Sequence, residues 1–290
     1  MIVAIAGGHG GAGRTTMAVG LVLTLQEERR LAGVRRIALA DCDVEQPASE
    51  TLLRPLFREQ QEASLTMPHS NERCTGCGLC VELCRFHALA LYQGALVVFP
   101  ELCCGCLHCV RQCPEEALET ESWPLGTIKS GRVGSIHWVG GNLEVGTVWP
   151  RPVIRQVLER ALAKSPDVLI LDGPAGTTPA ALEVMRAADL VLVVIEPSPL
   201  GLRALQRTTQ AAREHLRKRV VVLINKDKGQ DGQDINAYCQ QEGIPVVGRL
   251  PFEERIARAY ARGVPPVVAE SDLAPFFRTL YLQLGEEMSR

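Results

Sequence analysis

A glycine-rich stretch at residues 7–16 constrains the fold of this chain most strongly, because it holds five glycines within seven residues. The apolar run 1–6 before it predicts a buried parallel strand, and the apolar run 17–26 after it predicts a helix. Between a strand and a helix, backbone N–H groups and the helix N-terminus bind phosphate well. The alternative is a glycine-rich turn that binds nothing, and the strand–loop–helix context argues against it.

The stretch follows the general phosphate-loop pattern with one change. Gly8 and Gly13 have the required separation, and Thr15 occupies the position of a magnesium ligand, but Arg14 stands where the pattern has lysine. The predicted nucleotide-binding residues of this loop are Gly8, His9, Gly10, Gly11, Ala12, Gly13, Arg14, Thr15 and Thr16.

Apolar strand-like runs alternate with helical patterns along the rest of the chain. The predicted strands are 36–40, 167–172, 190–195, 220–224 and 244–247. This order predicts an α/β fold, a mostly parallel sheet with helices on both faces. Residues 48–62 are predicted as a helix interrupted near Pro55, 126–146 as a hairpin or two edge strands, and 152–164 as an amphipathic helix.

Three acidic residues follow predicted parallel strands, where side chains point into the ligand crevice of an open α/β sheet. We expect Asp172 to hold the magnesium shell, and Asp41 and Asp43 to divide two roles. One would orient the attacking water and the other would bind the water shell of Mg²⁺, with Asp43 and Thr15 as predicted metal ligands. Each acid is otherwise a helix cap or a turn former.

Eight of the eleven cysteines form two runs with the spacing of a bacterial two-cluster ferredoxin. In that pattern the fourth cysteine of each run binds the other cluster, which predicts two [4Fe–4S] clusters. Paired zinc sites and disulfides are the alternatives, and the spacing and an intracellular location disfavour them. The predicted ligand sets are Cys74, Cys77, Cys80 and Cys113 for one cluster, and Cys103, Cys106, Cys109 and Cys84 for the other.

The cysteine-rich part is predicted as an insertion that divides the sheet domain. The expected units are 1–63, 64–124 (a small α+β ferredoxin domain) and 125–290. From Glu72 to Glu121 there are seven acidic and three basic residues. This negative charge suits docking on a basic redox partner, although it is also typical of a solvated surface.

Composition excludes some classes of protein. With a net charge of −2, the chain has no general attraction to nucleic acid or anionic lipid. No secretory signal and no apolar run of about 18 residues are present, so we expect a cytoplasmic protein. Residues 273–284 have apolar residues at helical spacing and few basic ones, which favours packing on the core over a membrane anchor.

These motifs resemble MinD/ParA-type ATPases, the class with a deviant phosphate loop that includes the nitrogenase iron protein. The resemblance rests on residues 8–16, 41–47 and 172–176, and the cysteine runs narrow it to the branch with an inserted ferredoxin domain. It implies binding of ATP or ADP with Mg²⁺ and a homodimer, or a heterodimer with a related ATPase. It also implies that Asn225 reads the adenine, near the loop of Pro251, Phe252 and Glu253. An Asn-Lys-Asp run also occurs in GTP-binding proteins, so the base stays open.

The chain departs from this family at both lysines that act on the phosphates. His9 stands at the signature lysine, which reaches across a dimer, and Arg14 stands at the phosphate-loop lysine. Imidazole is mostly neutral at pH 7, and a planar guanidinium does not replace a compact ammonium. We therefore expect slow hydrolysis that depends on a partner.

Our leading hypothesis is a nucleotide-responsive redox protein that couples ATP binding to electron transfer or to redox-dependent partner binding. The alternatives are a nucleotide-switched positioning or scaffold protein and an iron–sulfur cluster carrier. Related carriers hold their cluster with a C-terminal Cys-x-x-Cys, whereas only Cys239 follows Cys113 here.

Overall fold

The computed structural model describes residues 1–28, 33–229 and 233–290. Its strands, in chain order, are β1 (Ile2–Ala6), β2 (Ile37–Asp41), β3 (Leu56–Ser70), β4 (Leu89–Tyr92), β5 (Ala95–Val98), β6 (Leu118–Val133), β7 (Ile136–Leu143), β8 (Val168–Asp172), β9 (Leu190–Ile195), β10 (Arg219–Asp227) and β11 (Val246–Pro251).

The α-helices alternate with these strands over most of the chain. They are α1 (Arg14–Glu28), α2 (Ser49–Leu53), α3 (Leu79–Leu83), α4 (His108–Arg111), α5 (Pro150–Leu162), α6 (Pro179–Ala187), α7 (Pro199–Gln210), α8 (Gln233–Gln241), α9 (Glu254–Ala261), α10 (Pro266–Ala269) and α11 (Ala274–Ser289). A π-helical turn (Ala211–His215) follows α7, and a 3₁₀ turn (Ser271–Leu273) precedes α11.

Nine strands form one sheet in the order β11-β10-β9-β1-β8-β2-β7-β6-β3. The seven strands from β11 to β7 run parallel, while β6 and β3 are antiparallel to their neighbours. The predicted α/β fold with a mostly parallel sheet is therefore confirmed. The hairpin predicted at 126–146 is the β6–β7 pair, but β7 lies inside the sheet beside β2 rather than at an edge.

Helices cover both faces of the sheet, because the central strands are apolar on both sides. α1 and α11 pack on one face, and α5 and α6 pack on the other. The C-terminal helix lies directly on α1: a Cβ at Gly20 would come within 2.1 Å of the Phe277 ring, so glycine allows this close approach. The prediction that this segment packs on the core is confirmed.

The helix predicted at 48–62 is wrong in its second half. α2 ends at Leu53, because Arg54 adopts the left-handed conformation (φ 46°) and Pro55 follows it. From Leu56 the chain forms β3, which pairs with β6 over its whole length. Pairing with residues 65 to 76 positions further along the chain, from Leu56↔Arg132 to Glu62↔Thr127, overrides the local helical pattern.

β3 and β6 extend beyond the sheet as a two-stranded ribbon that carries the cysteine segment (residues 71–117). This segment contains the short helices α3 and α4 and the β4–β5 hairpin. The predicted boundaries at 63/64 and 124/125 fall inside continuous strands, where the register shifts between Ala63 and Ser64. Within the described residues, no helix combines the length and the apolar composition that a membrane span requires.

Candidate functional site

A cavity of about 350 Å³ opens where the parallel strands end at their carboxyl edge. The glycine-rich loop, the segment after β2, the end of β10 and the start of α9 surround it. Its lining residues are Gly10, Gly11, Gly13, Arg14, Thr15, Thr16, Asp43, Gln46, Ala48, Asn225, Lys226, Pro251, Phe252, Glu253, Ile256, Ala257 and Tyr260.

The loop conformation depends on glycine at two positions. Gly11 and Gly13 have φ values of +83° and +100°, which side chains rarely adopt. At Gly13 a Cβ would also lie 2.2 Å from Nδ2 of Asn225. The helix α1 begins at the next residue, and the N–H of Met17 donates to the Gly13 carbonyl at 3.0 Å. The loop thus presents a helix N-terminus to the cavity, as phosphate binding requires.

Three residues of the predicted phosphate loop do not line the cavity. Gly8 packs against α7, since a Cβ there would lie 1.8 Å from that of Ala204. Nδ1 of His9 lies 2.9 Å from the carbonyl oxygen of Gly10. Ala12 is buried, and its carbonyl accepts a hydrogen bond from Asn225.

Arg14 connects the ends of two strands. Its side chain is 9% exposed, and its guanidinium donates to the Gly173 carbonyl after β8. A second guanidinium nitrogen lies 3.4 Å from Oδ2 of Asp43, after β2. The charge of Arg14 is therefore directed at the two strand-end loops, although the residue also lines the cavity.

Oxygen atoms suited to Mg²⁺ meet beside the loop. Thr15 and Asp43 line the cavity, and the Thr15 side chain lies beside the carboxyl of the buried Asp172. Oδ2 of Asp172 is buried and has no hydrogen-bond partner among the described residues. Burial and the neighbouring Asp41 raise the pKa of Asp172 well above its ordinary value. A hydroxyl and carboxylates are the ligands Mg²⁺ prefers, so these residues fit the ion or its water shell.

Asp41 lies outside the cavity and is completely buried. Its Oδ2 accepts hydrogen bonds from the backbone N–H and the hydroxyl of Ser49, at 3.0 and 2.7 Å. The Ser49 hydroxyl in turn accepts from Nε1 of Trp138 at 2.9 Å. Asp41 thus holds the start of α2 against the sheet.

Asn225 and Lys226 contact the phosphate loop from the end of β10. Nδ2 of Asn225 donates to the Ala12 carbonyl at 2.8 Å, and its Oδ1 accepts from the N–H of Lys226 at 2.9 Å. Nζ of Lys226 donates to the Gly11 carbonyl at 2.9 Å and pairs with Glu196 at 2.5 Å. Both ends of the Asn225 amide are therefore bound to the chain itself.

The far end of the cavity is partly apolar. Pro251, Phe252 and Glu253 line it as predicted, and the ammonium of Lys228 lies 5.6 Å from the Phe252 ring centroid. Asp227 does not line the cavity: Arg249 pairs with it at 3.0 Å, and the N–H of Gly229 donates to it. The carboxylate of Asp227 is thus bound by Arg249 and Gly229 outside the cavity.

The first predicted ligand set surrounds one small cavity in the cysteine segment. Cys74, Cys77 and Cys80 line it together with Cys113 from the second run. The N–H of Ala117 donates to Sγ of Cys113 at 3.3 Å. Such N–H···S bonds stabilise a thiolate, which is the form that binds iron.

Members of the second set also lie near one another. Cys103 is close to Cys106 and Cys84, and Cys109 is close to Cys106 and Cys103, as well as to Cys80 of the first set. The N–H of Ala88 donates to Sγ of Cys84 at 3.3 Å, which repeats the Ala117–Cys113 bond. Within residues 1–28, 33–229 and 233–290, no three His, Cys, Asp or Glu side chains converge as ligands of a single metal ion. Each set supplies four thiols, the donor set that a [4Fe–4S] centre requires, so the residues present fit such a group.

A sequence profile described as the CobQ/CobB/MinD/ParA nucleotide binding domain matches residues 3–267. The chain belongs to this family. An uncharacterized protein, MJ0578, of Methanocaldococcus jannaschii is 29% identical to it over 294 residues, which cover 99% of this chain and 97% of the relative. An iron-sulfur cluster carrier protein of Mycobacterium tuberculosis is 28% identical over 158 residues, 46% of this chain and 40% of that protein.

The fold of the CobQ/CobB/MinD/ParA family is also found by structural comparison. The septum site-determining protein MinD of Pyrococcus horikoshii, solved in complex with Mg-ADP, is similar with a TM-score of 0.58. The similarity covers 96% of this chain and 93% of that protein, at 15% identity, and shows a shared fold. The predicted MinD/ParA-type family is confirmed, while the branch with an inserted ferredoxin domain remains a prediction.

Several residues that line the cavity beside the phosphate loop were not predicted from the sequence. Lys226 places a cation at the phosphate loop, and its only sequence signal is the Asn-Lys-Asp run. Gln46 and Ala48 belong to the segment after β2. Ile256, Ala257 and Tyr260 line the cavity from α9, at the spacing of one helix face.

The buried Asp41 predicts a pH-dependent stability. Burial raises the pKa of Asp41 to about 6. At pH values between the ordinary pKa of aspartate and this raised value, the folded chain keeps the proton while the unfolded chain loses it. The contribution of Asp41 to the free energy of unfolding is therefore present at low pH and is lost as the pH rises toward 6. As the pH rises from 5 to 8, the free energy of unfolding of Asp41→Asn should increase by about 1–2 kcal/mol relative to that of the wild type.

Urea unfolding of anaerobically purified protein at both pH values measures this difference. Asp234→Asn, which removes an exposed carboxylate from α8, is the matched control and should show no such gain. The same stability difference at both pH values for Asp41→Asn would contradict the assignment.

Proposed function

We propose that this protein binds ATP with Mg²⁺ and couples its nucleotide state to electron transfer, or to redox-dependent binding of a partner protein, through two [4Fe–4S] clusters. Gly10, Gly11, Gly13 and the start of α1 would hold the phosphates. The clusters would supply reversible one-electron storage and transfer. Their ligands would be Cys74, Cys77, Cys80 and Cys113 for one cluster, and Cys103, Cys106, Cys109 and Cys84 for the other.

The observation that carries this proposal is the direct connection between the two sites. Asp43, Gln46 and Ala48 line the nucleotide cavity, and α2 and then β3 follow them in the chain. The strand β3 leads without interruption to the cysteine segment. A displacement of the segment after β2 is therefore transmitted to the ribbon that carries the cysteines.

Contacts of α2 and β3 with β6 and β7 make this connection stiff. Ser49, the first residue of α2, is bonded to both Asp41 and Trp138. The Trp138 ring contacts Phe57 of β3 edge-to-face, with 5.9 Å between ring centroids. Glu50 of α2 pairs with Lys129 of β6 at 3.0 Å. Binding of the nucleotide with Mg²⁺ near Asp43 would bring a cation that competes with Arg14 for that carboxylate, and would so act on this connection.

The arrangement also supports slow hydrolysis by the chain alone. Arg14 bonds Gly173 and Asp43, and His9 lies against the Gly10 carbonyl, outside the cavity. With these contacts, neither cation is free to stabilise charge on a transferring phosphoryl group, where charge stabilisation matters most. A second subunit, identical or a related ATPase, would supply the missing charge.

A redox titration monitored by EPR, on anaerobically purified protein with and without Mg·ATP, tests the proposal. We expect the reduction potential of at least one cluster to shift by about 60 mV, which corresponds to tenfold coupling for one electron. Gly13→Ala, which disturbs the phosphate loop, should show no shift. Equal potentials and equal partner affinity in the two states would refute the coupling.

An iron–sulfur cluster carrier is the second candidate, because a relative bears that name. A carrier needs accessible ligands that release the cluster. Cys239, the only cysteine after Cys113, is 2% exposed and packs in the core between the sheet and α8. Transfer of iron from the purified protein to an apo-ferredoxin would favour the carrier function over the coupling of nucleotide state to redox chemistry.

A further inference from the structure

A second cavity, of about 420 Å³, lies at the opposite edge of the sheet from the nucleotide cavity. It is formed where β2 and β8 begin, together with β3, β6 and β7. Its lining residues are Arg35, Arg36, Ile37, Ala38, Arg58, Glu59, Ser130, Gly131, Arg132, Ser135, His137, Lys164 and Pro166. The volume matches that of small-molecule sites.

The lining is strongly cationic in a chain whose net charge is −2. Arg36 is paired with Asp167 at 3.1 Å, and Glu59 is paired with Arg160 at 3.5 Å. In the part of the chain that the structure describes, the other four cations have no carboxylate within 4.0 Å: Arg35, Arg58, Arg132 and Lys164. These four cations repel one another, and Glu59 is the one carboxylate among the lining residues, so a bound anion would relieve the repulsion.

The backbone of β3 directs one of these cations to the cavity. The β3–β6 register shifts between Phe57 and Glu59, so Arg58 has no partner in the ladder. Such a bulge re-aims the side chain of the extra residue. Arg132 follows Gly131, the ladder partner of Phe57, and so lies on the facing strand. Two arginines are thereby placed on adjacent strands at one opening.

An imidazole completes the cavity. Nε2 of His137 is buried and has no hydrogen-bond partner among the described residues. Burial, with Lys164 and Arg132 nearby, lowers the pKa of His137. A bound anion would offset these charges and give the ring nitrogen a partner.

We propose that this cavity binds a small polyanion whose phosphate or carboxylate groups are held by Arg58, Arg132, Arg35 and Lys164, next to His137. Guanidinium groups bind both kinds of oxyanion through paired N–H bonds, so these two chemistries share one site. The site is separate from the nucleotide cavity and does not depend on the function proposed above.

Calorimetric titration of the full-length protein with pyrophosphate, and separately with citrate, tests the proposal and distinguishes the two chemistries. We expect Arg58→Ala/Arg132→Ala to weaken binding of at least one probe about 100-fold, since each charged hydrogen bond contributes about tenfold. The control Arg203→Ala/Arg207→Ala removes two exposed arginines of α7 with the same charge change and should bind like the wild type.

A second readout locates the anion. The NMR signal of the His137 ring, assigned with His137→Gln, should shift on addition of the bound probe. Arg58→Lys/Arg132→Lys, which keeps the charge, should restore part of the affinity. Unchanged affinity in the alanine variant, or a His137 signal that does not move at saturation, would overturn the proposal.

Discussion

Gly13→Ala is expected to lower the affinity for ATP about 100-fold or more. The residue has φ +100°, and a Cβ would lie 2.2 Å from Nδ2 of Asn225. That amide donates to the Ala12 carbonyl, so the side chain cannot move away without breaking a buried bond. The loop must shift instead, and the N–H groups that face the phosphates lose their alignment. Each such hydrogen bond to a charged group contributes about 1.5–3 kcal/mol.

Fluorescence titration with a labelled ATP analogue measures this affinity. Gly146→Ala is the matched control, because Gly146 has a similar φ of +90° but nothing within 4 Å of a Cβ. Gly146→Ala introduces similar backbone strain without a steric clash, and Gly146 lies outside the nucleotide cavity. Both variants should keep their secondary structure by circular dichroism. Equal affinity in the two variants would show that the Asn225 contact does not set the loop.

Cys113→Ser is expected to remove the cluster predicted for the first cysteine run, although Cys113 belongs to the second run. Its side chain lines the same cavity as Cys74, Cys77 and Cys80. A serine hydroxyl is a weaker ligand for iron than a thiolate. The iron content should fall from about eight to about four atoms per chain, with one of two EPR signals lost.

Cys104→Ser is the matched control. Cys104 is adjacent to the predicted ligand Cys103 but falls outside the ligand spacing. The Cys104→Ser variant should therefore keep both clusters, while Cys84→Ser should lose the cluster predicted for the second cysteine run. If Cys113→Ser instead kept the EPR signal of the cluster assigned to the first run and lost that of the second, the prediction that each run supplies the fourth ligand of the other run's cluster would be wrong.

The parts of this molecule that depend on local pattern could be predicted well. The strand–loop–helix at the phosphate loop follows from glycines between an apolar strand and helix. The central parallel strands follow from apolar runs, and packing of the C-terminal helix follows from its apolar spacing. Residues 56–62 could not be predicted as a strand, because their partners, residues 127–132 of β6, lie far along the chain.

The site shows the same division. Spacing alone grouped Cys74, Cys77 and Cys80 with Cys113, and the structure places these four around one cavity. Position after a strand predicts that Asp43 lies at the carboxyl edge of the sheet, and Asp43 lines the cavity there. The same rule placed Asp41 there as well, whereas that side chain turns inward to Ser49. Strand ends predict where a side chain begins and not which way it points.

By itself, the sequence determined the family, the loop that faces the phosphates and the two cysteine runs, because these are patterns of neighbouring residues. The tertiary structure decided the direction of the long charged side chains. Arg14 reaches Gly173, 159 residues away, and Lys226 reaches Gly11, 215 residues away. Arginine and lysine have many rotamers of similar energy, so the position of a remote carbonyl selects one of them. The cationic cavity exists for the same reason, since the fold assembles it from five separate segments.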